Sequence, residues 1–201
     1  VKVEVSLDDF DREDLSLRER TFHWAQFILK RFPKIDILFS SEEYGEPFAS
    51  HLGIQHESFD PQRKNIPISA TLIRSHPMKY WDYLPQIVRP YFVKKICFYG
   101  PESTGKSTMA LQMAEHYHTV SVPEVARELI TTNDFNASDI IRIGHAQTER
   151  VKQKLRSANR ILFCDTDIIT TAVYSKYYLG MVPPILEQLE KEIVYDHYFL
   201  F

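Results

Sequence analysis

The segment Gly100–Ser107, with the sequence GPESTGKS, is the feature that most constrains the fold of this chain. It has two glycines five residues apart, followed by a lysine and a hydroxyl residue. The apolar run KKICFYG precedes it and the run KSTMALQMAEH follows it, so a buried strand should end and a helix should begin on its two sides. A strand–loop–helix unit of this kind predicts a parallel sheet and a site for the phosphates of a nucleoside triphosphate.

Each part of this loop has a chemical role. The two glycines permit backbone angles and a close approach that a side chain would block. The backbone amides of residues 103–107 can point at phosphate oxygens at the start of the helix. Lys106 should reach the β and γ phosphates, and the hydroxyl of Ser107 should bind Mg²⁺. The predicted phosphate-binding residues of the loop are Gly100, Glu102, Ser103, Thr104, Gly105, Lys106, Ser107 and Thr108.

The chain after Lys94 alternates between strand-like and helical runs. The strands are expected in KKICFYG, before VPE, in ILFCD and in YDHYFLF, and a long helix is expected over residues 138–158. This alternation predicts an α/β fold in which a parallel sheet carries helices on both faces.

The chain before Lys94 has a different texture. VKVEVS at the start reads as a short strand, and Ser16 with Glu19 forms a capping-box pattern before an amphipathic helix over 17–32. We interpret SSEEYGEPF as a loop and expect a short helix and a strand within HLGIQHESFD. Because Pro85 and Pro90 bracket a connector, we place a domain boundary near residues 89–92. The two predicted domains are 1–90 and 91–201.

Two carboxylates follow the apolar strand ILFCD. Asp165 ends that strand, where an acidic residue typically holds Mg²⁺ or its water ligands in a triphosphate site. Asp167 precedes a helix, so the cap of that helix is an equally good interpretation of it.

A second polar pair, Glu124 and Arg127, lies in VPEVAREL, where the next strand should end. Because the carboxyl ends of parallel strands meet at one edge of a sheet, we expect both side chains to face the phosphate loop. Glu124 could then accept a proton from a substrate hydroxyl, and Arg127 could hold phosphate or substrate. An ordinary ion pair at a helix start is the alternative.

Composition and missing motifs exclude several classes. With 24 Lys and Arg against 27 Asp and Glu, the formal charge of −3 disfavours a general nucleic-acid binder. The sequence has no N-K-x-D motif for guanine and no LSGGQ-like transporter signature, so a small kinase fits better than a GTPase or a motor. Cys97 and Cys164 lie in apolar runs and are expected as buried thiols. Without a signal-peptide pattern or a long apolar run, we expect a cytoplasmic protein with no membrane partner.

Several blocks together resemble the NadR family, in which a nicotinamide-mononucleotide adenylyltransferase domain precedes a ribosylnicotinamide kinase domain. The blocks are GPESTGKST, VPEVAREL, IGHAQ and FCDTDIITT in the second half, and ILFSSEEYGE, HLGIQHESFDPQR, ISATLIR and YWDYLPQIVRPYFV before it. The resemblance implies a partial Rossmann-like nucleotidyltransferase domain over 1–90 and a kinase domain over 91–201. It implies an enzyme of NAD synthesis or salvage that phosphorylates nicotinamide riboside and, in the full-length protein, joins nicotinamide mononucleotide to the AMP part of ATP.

The resemblance also assigns residues and cofactors. ATP and Mg²⁺ are the implied cofactors, with Ser107 and Asp165 on the metal and Glu124 or Asp165 as the base. ISATLIR is similar to the family signature that holds ATP phosphates, and it supplies Ser69, Thr71 and Arg74. The candidates for substrate contacts are His145, Gln147, Asp167 and Thr170.

The chain departs from the family pattern in two places. Adenylyltransferases of this superfamily carry an H-x-G-H motif, and the nearest segment here, His51-Leu52-Gly53-Ile54, lacks the second histidine. No arginine-bearing lid follows YDHYFLF. We therefore expect the chain to correspond to the central part of a longer protein and to lack adenylyltransferase activity by itself.

Two other functions remain open. One is a regulator that senses ATP or NAD without turnover, and the other is a kinase of a different nucleoside. The sequence also leaves open whether the chain forms a homo-oligomer.

Overall fold

The fold was determined as a computed structural model that describes residues 14–130 and 134–201. The chain divides into two compact units, Val1–Ser69 and Ala70–Phe201. The predicted strand VKVEVS lies outside the described residues. No helix in the described part of the chain is both long and apolar enough to cross a bilayer.

The first unit pairs two helices with a two-stranded parallel sheet. Its elements are α1 (Leu17–Arg31), β1 (Ile37–Ser40), α2 (Gly45–Leu52) and β2 (Gln55–Ser58). The predicted capping box is present, because the backbone amide of Ser16 donates to Glu19 Oε2 at 2.9 Å and Ser16 Oγ accepts from the Glu19 amide at 3.3 Å. Register pairs Ile37 with Gln55 and Ser40 with Ser58.

The helix α2 corrects the interpretation of SSEEYGEPF as a loop, since the helix begins inside that segment at Gly45. The residue before the helix, Tyr44, makes no side-chain capping bond. The start of α2 therefore lacks the side-chain cap by which a helix start is most directly found in a sequence, and Glu46 in its first turn is the only acidic signal there.

The second unit is built around a four-stranded sheet. Its helices are α3 (Ala70–Ser75), α4 (Lys106–His116), α5 (Ala126–Leu129), α6 (Ala137–Leu155), α7 (Ile168–Leu179) and α8 (Ile185–Glu192). Its strands are β3 (Lys94–Tyr99), β4 (Ser121–Val122), β5 (Ile161–Asp165) and β6 (His197–Leu200). Two short 3₁₀ helices, Trp81–Tyr83 and Arg89–Tyr91, precede β3.

The sheet is parallel throughout, in the order β4-β5-β3-β6. Successive side chains of β5 alternate between its two faces, so Leu162 and Cys164 pack in one apolar cluster with Val151 of α6. Phe163 packs on the other face with Ala110 and Ala114 of α4. The predicted α/β fold, with a parallel sheet and flanking helices, is confirmed.

The two compact units divide at Ser69–Ala70 rather than at residues 89–92. The reason is that Trp81, which is 1% exposed, and Leu84 pack in the same cluster as Leu162 of the central strand. Within the segment interpreted as a connector, Val88 is partly buried against the same cluster, so this segment also packs on the second unit's core. The assignment of 1–90 and 91–201 as functional domains stays a prediction.

Candidate active site

The phosphate loop lies between the end of β3 at Tyr99 and the start of α4 at Lys106. Its course requires left-handed backbone angles, with φ of 142° at Gly100, 62° at Ser103 and 94° at Gly105. A Cβ atom on Gly100 would lie 2.4 Å from the backbone oxygen of Phe201. Gly100 therefore serves the loop through its missing side chain, as the sequence analysis expected.

Lys106 lies folded back over this loop. It is only 5% exposed, and its Nζ donates a hydrogen bond to the backbone oxygen of Pro101 at 2.5 Å. Thr104 Oγ1 donates to the same oxygen at 3.0 Å. The ammonium group is held beside the first turn of α4, where the amides and the helix dipole favour an anion.

A cavity of about 620 Å³ opens at this loop. The sequence analysis placed Glu124 and Arg127 opposite the loop, and both line this cavity. The ion pair that was the alternative interpretation is also present, because Arg127 Nε donates to Glu124 Oε2 at 2.7 Å. The full lining is Glu102, Ser103, Thr104, Gly105, Lys106, Ser107, Thr108, Glu124, Ala126, Arg127 and Ile130.

Asp165 ends β5 beside the strand that leads into the loop, where it pairs in register with Phe98. It is 2% exposed, and its Oδ1 is buried without a hydrogen-bond partner among the described residues. An unpartnered carboxylate oxygen fits a magnesium ion or its water ligands, because a buried charge needs such a partner. No group of three or more His, Cys, Asp or Glu in the described part of the chain could hold a metal ion.

Asp167 caps α7, as the alternative interpretation had it. Its Oδ1 accepts from the amide of Thr170 at 3.0 Å and from the Thr170 hydroxyl at 3.3 Å. Burial raises the pKa of this carboxyl, and the bonds from Thr170 act in the opposite direction. Asp167 lines neither of the two cavities at this edge of the sheet.

A second cavity, of about 140 Å³, has a mostly apolar and aromatic lining. Glu102, Glu124, Ala126 and Ile130 line both cavities. Tyr174 and Tyr178 stack with their ring centroids 6.1 Å apart. Burial, followed by the charges of Glu102 and Glu124, raises the pKa of Tyr174. The remaining lining residues are Phe135, Ile140, Ile143, Thr166, Thr170 and Thr171.

The sequence analysis missed the aromatic side of this second cavity. Tyr174 and Tyr178 are four residues apart on the helix that follows Asp165, so they share one face of it. That spacing is a signal that could have found them. Phe135, which meets Tyr178 edge to face at 5.6 Å, precedes α6 and carries no such signal.

The two candidates from IGHAQ have different surroundings. His145 is exposed on α6 and lines neither cavity. Gln147 is 2% exposed, and its Oε1 accepts a hydrogen bond from the amide of Val125 at 2.9 Å. Of the four substrate candidates, only Thr170 lines the second cavity.

The ISATLIR segment forms a helix start, as expected. Thr71 and Arg74 lie on α3, where Arg74 Nη2 donates to Thr71 Oγ1 at 3.4 Å, and Ser69 directly precedes that helix. His51, from the segment nearest to H-x-G-H, lies in the last turn of α2, and its Nε2 is 3.1 Å from the backbone oxygen of Arg18.

Comparison with known proteins gives the family. Residues 95–201 match the AAA domain family. The chain belongs to the AAA domain family. It is also 33% identical to the "Trifunctional NAD biosynthesis/regulator protein NadR" of Escherichia coli (strain K12) over 180 residues, which cover 85% of this chain and 43% of that relative. The chain therefore spans less than half the length of this curated relative.

Two solved NadR structures match over 94% of this chain, each with a TM-score of 0.71. One is a complex with NAD and AMP-PNP; it is 25% identical in sequence to this chain, and the match covers 60% of its own length. The other is a complex with NR; it is 26% identical in sequence to this chain, and the match covers 59% of its own length. These matches confirm the resemblance to the NadR family and the α/β fold with its phosphate loop.

Proposed function

We propose that the AAA domain phosphorylates nicotinamide riboside, with ATP and Mg²⁺ as cofactors. The observation that carries the proposal is the wall common to the two cavities. Glu102 and Glu124 line both the cavity of about 620 Å³ at the phosphate loop, here the phosphate cavity, and the cavity of about 140 Å³ beside Tyr174 and Tyr178, here the aromatic cavity. A nucleoside in the aromatic cavity would therefore present a hydroxyl toward phosphates in the phosphate cavity. NadR structures in complex with AMP-PNP and with NR support this choice of ligands.

The residues of the phosphate cavity have distinct roles in the proposed reaction. The substrate hydroxyl oxygen forms a bond to the γ phosphorus, the bond from that phosphorus to the β–γ bridging oxygen breaks, and ADP leaves. Lys106 stabilises the charge on the β and γ phosphates, and Arg127 orients phosphate or substrate. Glu124 or Asp165 accepts the hydroxyl proton.

Ser107 and Asp165 would hold the metal. The buried, unpartnered Oδ1 of Asp165 and the position of Ser107 on the cavity lining fit this role. Mg²⁺, when bound, supplies positive charge against the β and γ phosphates.

For the full-length protein, we propose a second activity, adenylyl transfer from ATP to nicotinamide mononucleotide to give NAD. Ser69, Thr71 and Arg74 would hold ATP phosphates there, as the family signature implies. Since the H-x-G-H motif is absent from this chain, other residues of the full-length protein would supply the transfer chemistry. The proposed location of the protein is the cytoplasm, with small molecules as its partners.

The test is phosphoryl transfer from γ-labelled ATP to nicotinamide riboside in the full-length protein. Lys106→Ala should lower kcat/KM by at least about 100-fold, because it removes the cation beside the transferring phosphate. Lys191→Ala is the matched control, since Lys191 is exposed in the last turn of α8. Near-normal turnover by Lys106→Ala would refute the proposal.

The same assay separates the alternative functions. A sensor of ATP or NAD would bind AMP-PNP without any transfer, a reading that the word "regulator" in the name of the E. coli relative favours. A kinase of another nucleoside would transfer phosphate to ordinary nucleosides more efficiently than to nicotinamide riboside. Comparing kcat/KM across these acceptors therefore decides between the three.

A further inference from the structure

The segment that carries Glu124 and Arg127 has little secondary structure of its own. The strand before it, β4, has two residues, and the helix α5 has four. Val125 is the residue before α5, and no side chain caps that helix start. The position of the two polar side chains at the phosphate cavity must therefore be set by contacts from another element.

The long helix α6 supplies those contacts. It has 19 residues and begins with a complete capping box at Asn136 and Asp139. Two of its bonds to the α5 segment are exposed, Arg150 to Glu128 at 2.5 Å and Arg142 to the backbone oxygen of Leu129 at 3.5 Å. Exposed pairs of this kind contribute little to holding a structure in place.

The third bond from α6 is buried. Gln147 Oε1 accepts from the amide of Val125 at 2.9 Å, and both residues are at most 2% exposed. Val125 directly precedes α5, and Gln147 lies within α6, so this bond holds the start of α5 against α6 directly. A buried amide that loses its acceptor carries the full cost of its desolvation, which gives this bond more weight than the two exposed ones.

The other end of the Gln147 side chain fixes its orientation. Its Nε2 is buried without a hydrogen-bond partner among the described residues, as is Thr148 Oγ1. Both residues line a small cavity of about 10 Å³ that is also lined by Asp167 and Tyr198. This is near the smallest cavity that can hold one water molecule, and acceptors on its walls suit the Nε2 donor. The side-chain oxygen must therefore face Val125 and the nitrogen must face the small cavity.

We propose that Gln147 is a positioning residue, which holds Glu124 and Arg127 at the phosphate cavity through the amide of Val125. The inference rests on the proposed phosphoryl transfer, because Glu124 and Arg127, the groups that this bond positions, have their roles in that reaction. It replaces the direct substrate contact that the resemblance implied for Gln147, since the side chain lines neither large cavity.

The test compares three variants of the full-length protein. Gln147→Met keeps the length of the side chain and removes the acceptor, so the Val125 amide is left unpaired. Thr148→Val is the matched control, because Thr148 lines the same small cavity and is equally buried, and no bond joins its hydroxyl to Val125. Arg150→Gln removes one of the exposed bonds from the same helix to α5.

Turnover is measured per nucleotide-binding site, counted by titration with AMP-PNP, so that a misfolded fraction does not lower it. Gln147→Met should lower kcat per site about 10- to 100-fold, the loss expected when catalytic groups shift by about 1 Å. Amide hydrogen exchange at Val125 should accelerate by at least about 10-fold in this variant, because the amide has lost its acceptor. Thr148→Val and Arg150→Gln should stay within about twofold of the unmodified protein in both measurements.

The two proposals fail in different ways. If the unmodified protein transfers no phosphate, the proposed function is overturned, and exchange at Val125 still tests the bond. If the unmodified protein is active and Gln147→Met equals it in kcat per site, the inference about Gln147 is overturned and the proposed function stands. A loss of the same size in Thr148→Val would also overturn it, because general disturbance of the core would then explain both.

Discussion

At the scale of single residues, Gly100 and Asp165 show two ways in which a position is restricted. Gly100 is restricted by space, because a neighbouring backbone oxygen occupies the volume that a side chain would need. Asp165 is restricted by chemistry, because its buried carboxylate oxygen has no partner among the described residues. A substitution at the first should therefore affect stability, and one at the second should affect activity.

Gly100→Ala should destabilise the second unit by about 3 kcal/mol or more, because it combines a left-handed backbone with a direct clash. Gly180→Ala is the matched control. Gly180 also has a positive φ, of 71°, but no atom lies within 4 Å of its added Cβ, so its cost should be only about 1 kcal/mol. Urea unfolding measures both free energies, and equal values would show that the contact with Phe201 is unimportant.

Asp165→Asn should lower kcat at least about 100-fold and raise the Mg²⁺ concentration needed for half-maximal activity, because a neutral amide binds the ion less strongly than a carboxylate does. The control is Glu187→Gln, which removes a negative charge from an exposed position on α8. Titration of activity with MgCl₂ provides the measurement. An unchanged Mg²⁺ requirement in Asp165→Asn would exclude this residue as a metal ligand.

At the scale of elements, the sequence predicted those parts of the fold whose signals are local. The helix expected over 17–32 is α1, and its capping box is formed by two side chains three residues apart. The strand ILFCD is β5, bounded as expected because an apolar run ends at a carboxylate. The start of α2 and the packing of Trp81 escaped prediction, since the first has no side-chain cap and the second depends on distant partners.

The residues of the candidate site likewise fall into those that the sequence could place and those whose role depends on tertiary contacts. Glu124 and Arg127 could be placed at the phosphate loop because topology alone brings the carboxyl ends of parallel strands together. The role of Gln147 could not be predicted, because its bond to Val125 joins positions 22 residues apart and depends on how two helices pack. His145, in the same sequence block, points to solvent. Which of two neighbouring polar residues faces inward is decided by tertiary contacts.

The junction of β3 and β6 makes stability depend on pH. Burial alone would raise the pKa of Asp196, but bonds from Lys94 Nζ at 2.6 Å and from the amide of Lys95 at 2.9 Å override it, and the net shift of the pKa is downward. A carboxyl with a lowered pKa in the folded state stabilises the fold above its unfolded pKa, and this contribution is lost as the pH falls through the folded pKa.

Asp196→Asn should therefore destabilise the protein by about 1 kcal/mol at pH 7, and the difference should vanish below the folded pKa of Asp196. Asp82→Asn serves as the control, because Asp82 is 85% exposed and lies 3.7 Å from Arg160. It should change stability by less than about 0.5 kcal/mol. Urea unfolding across pH 2.5–7 measures both. A difference between Asp196→Asn and the unmodified protein that stays constant over this range would contradict the assignment.

At the scale of the whole molecule, the division at Ser69–Ala70 places one tryptophan in each unit. Trp24 lies on α1 of the first unit, where its ring meets those of Tyr44 and Phe48 edge to face. Trp81 is buried in the core of the second unit, which also holds the phosphate loop. The chain has only these two tryptophans, so the fluorescence of each reports on one unit.

A nucleotide that binds the phosphate loop should therefore stabilise the unit that contains Trp81. At a free concentration 100 times its Kd, AMP-PNP with Mg²⁺ should add about 2.7 kcal/mol to that unit. The unfolding midpoint of the Trp81 signal, isolated in Trp24→Phe, should rise by several degrees. The midpoint of the Trp24 signal, isolated in Trp81→Phe, should stay where it is without nucleotide, provided that this variant still binds AMP-PNP. Equal shifts of both signals would mean that the two units unfold as one, and that the contact-based division has no counterpart in stability.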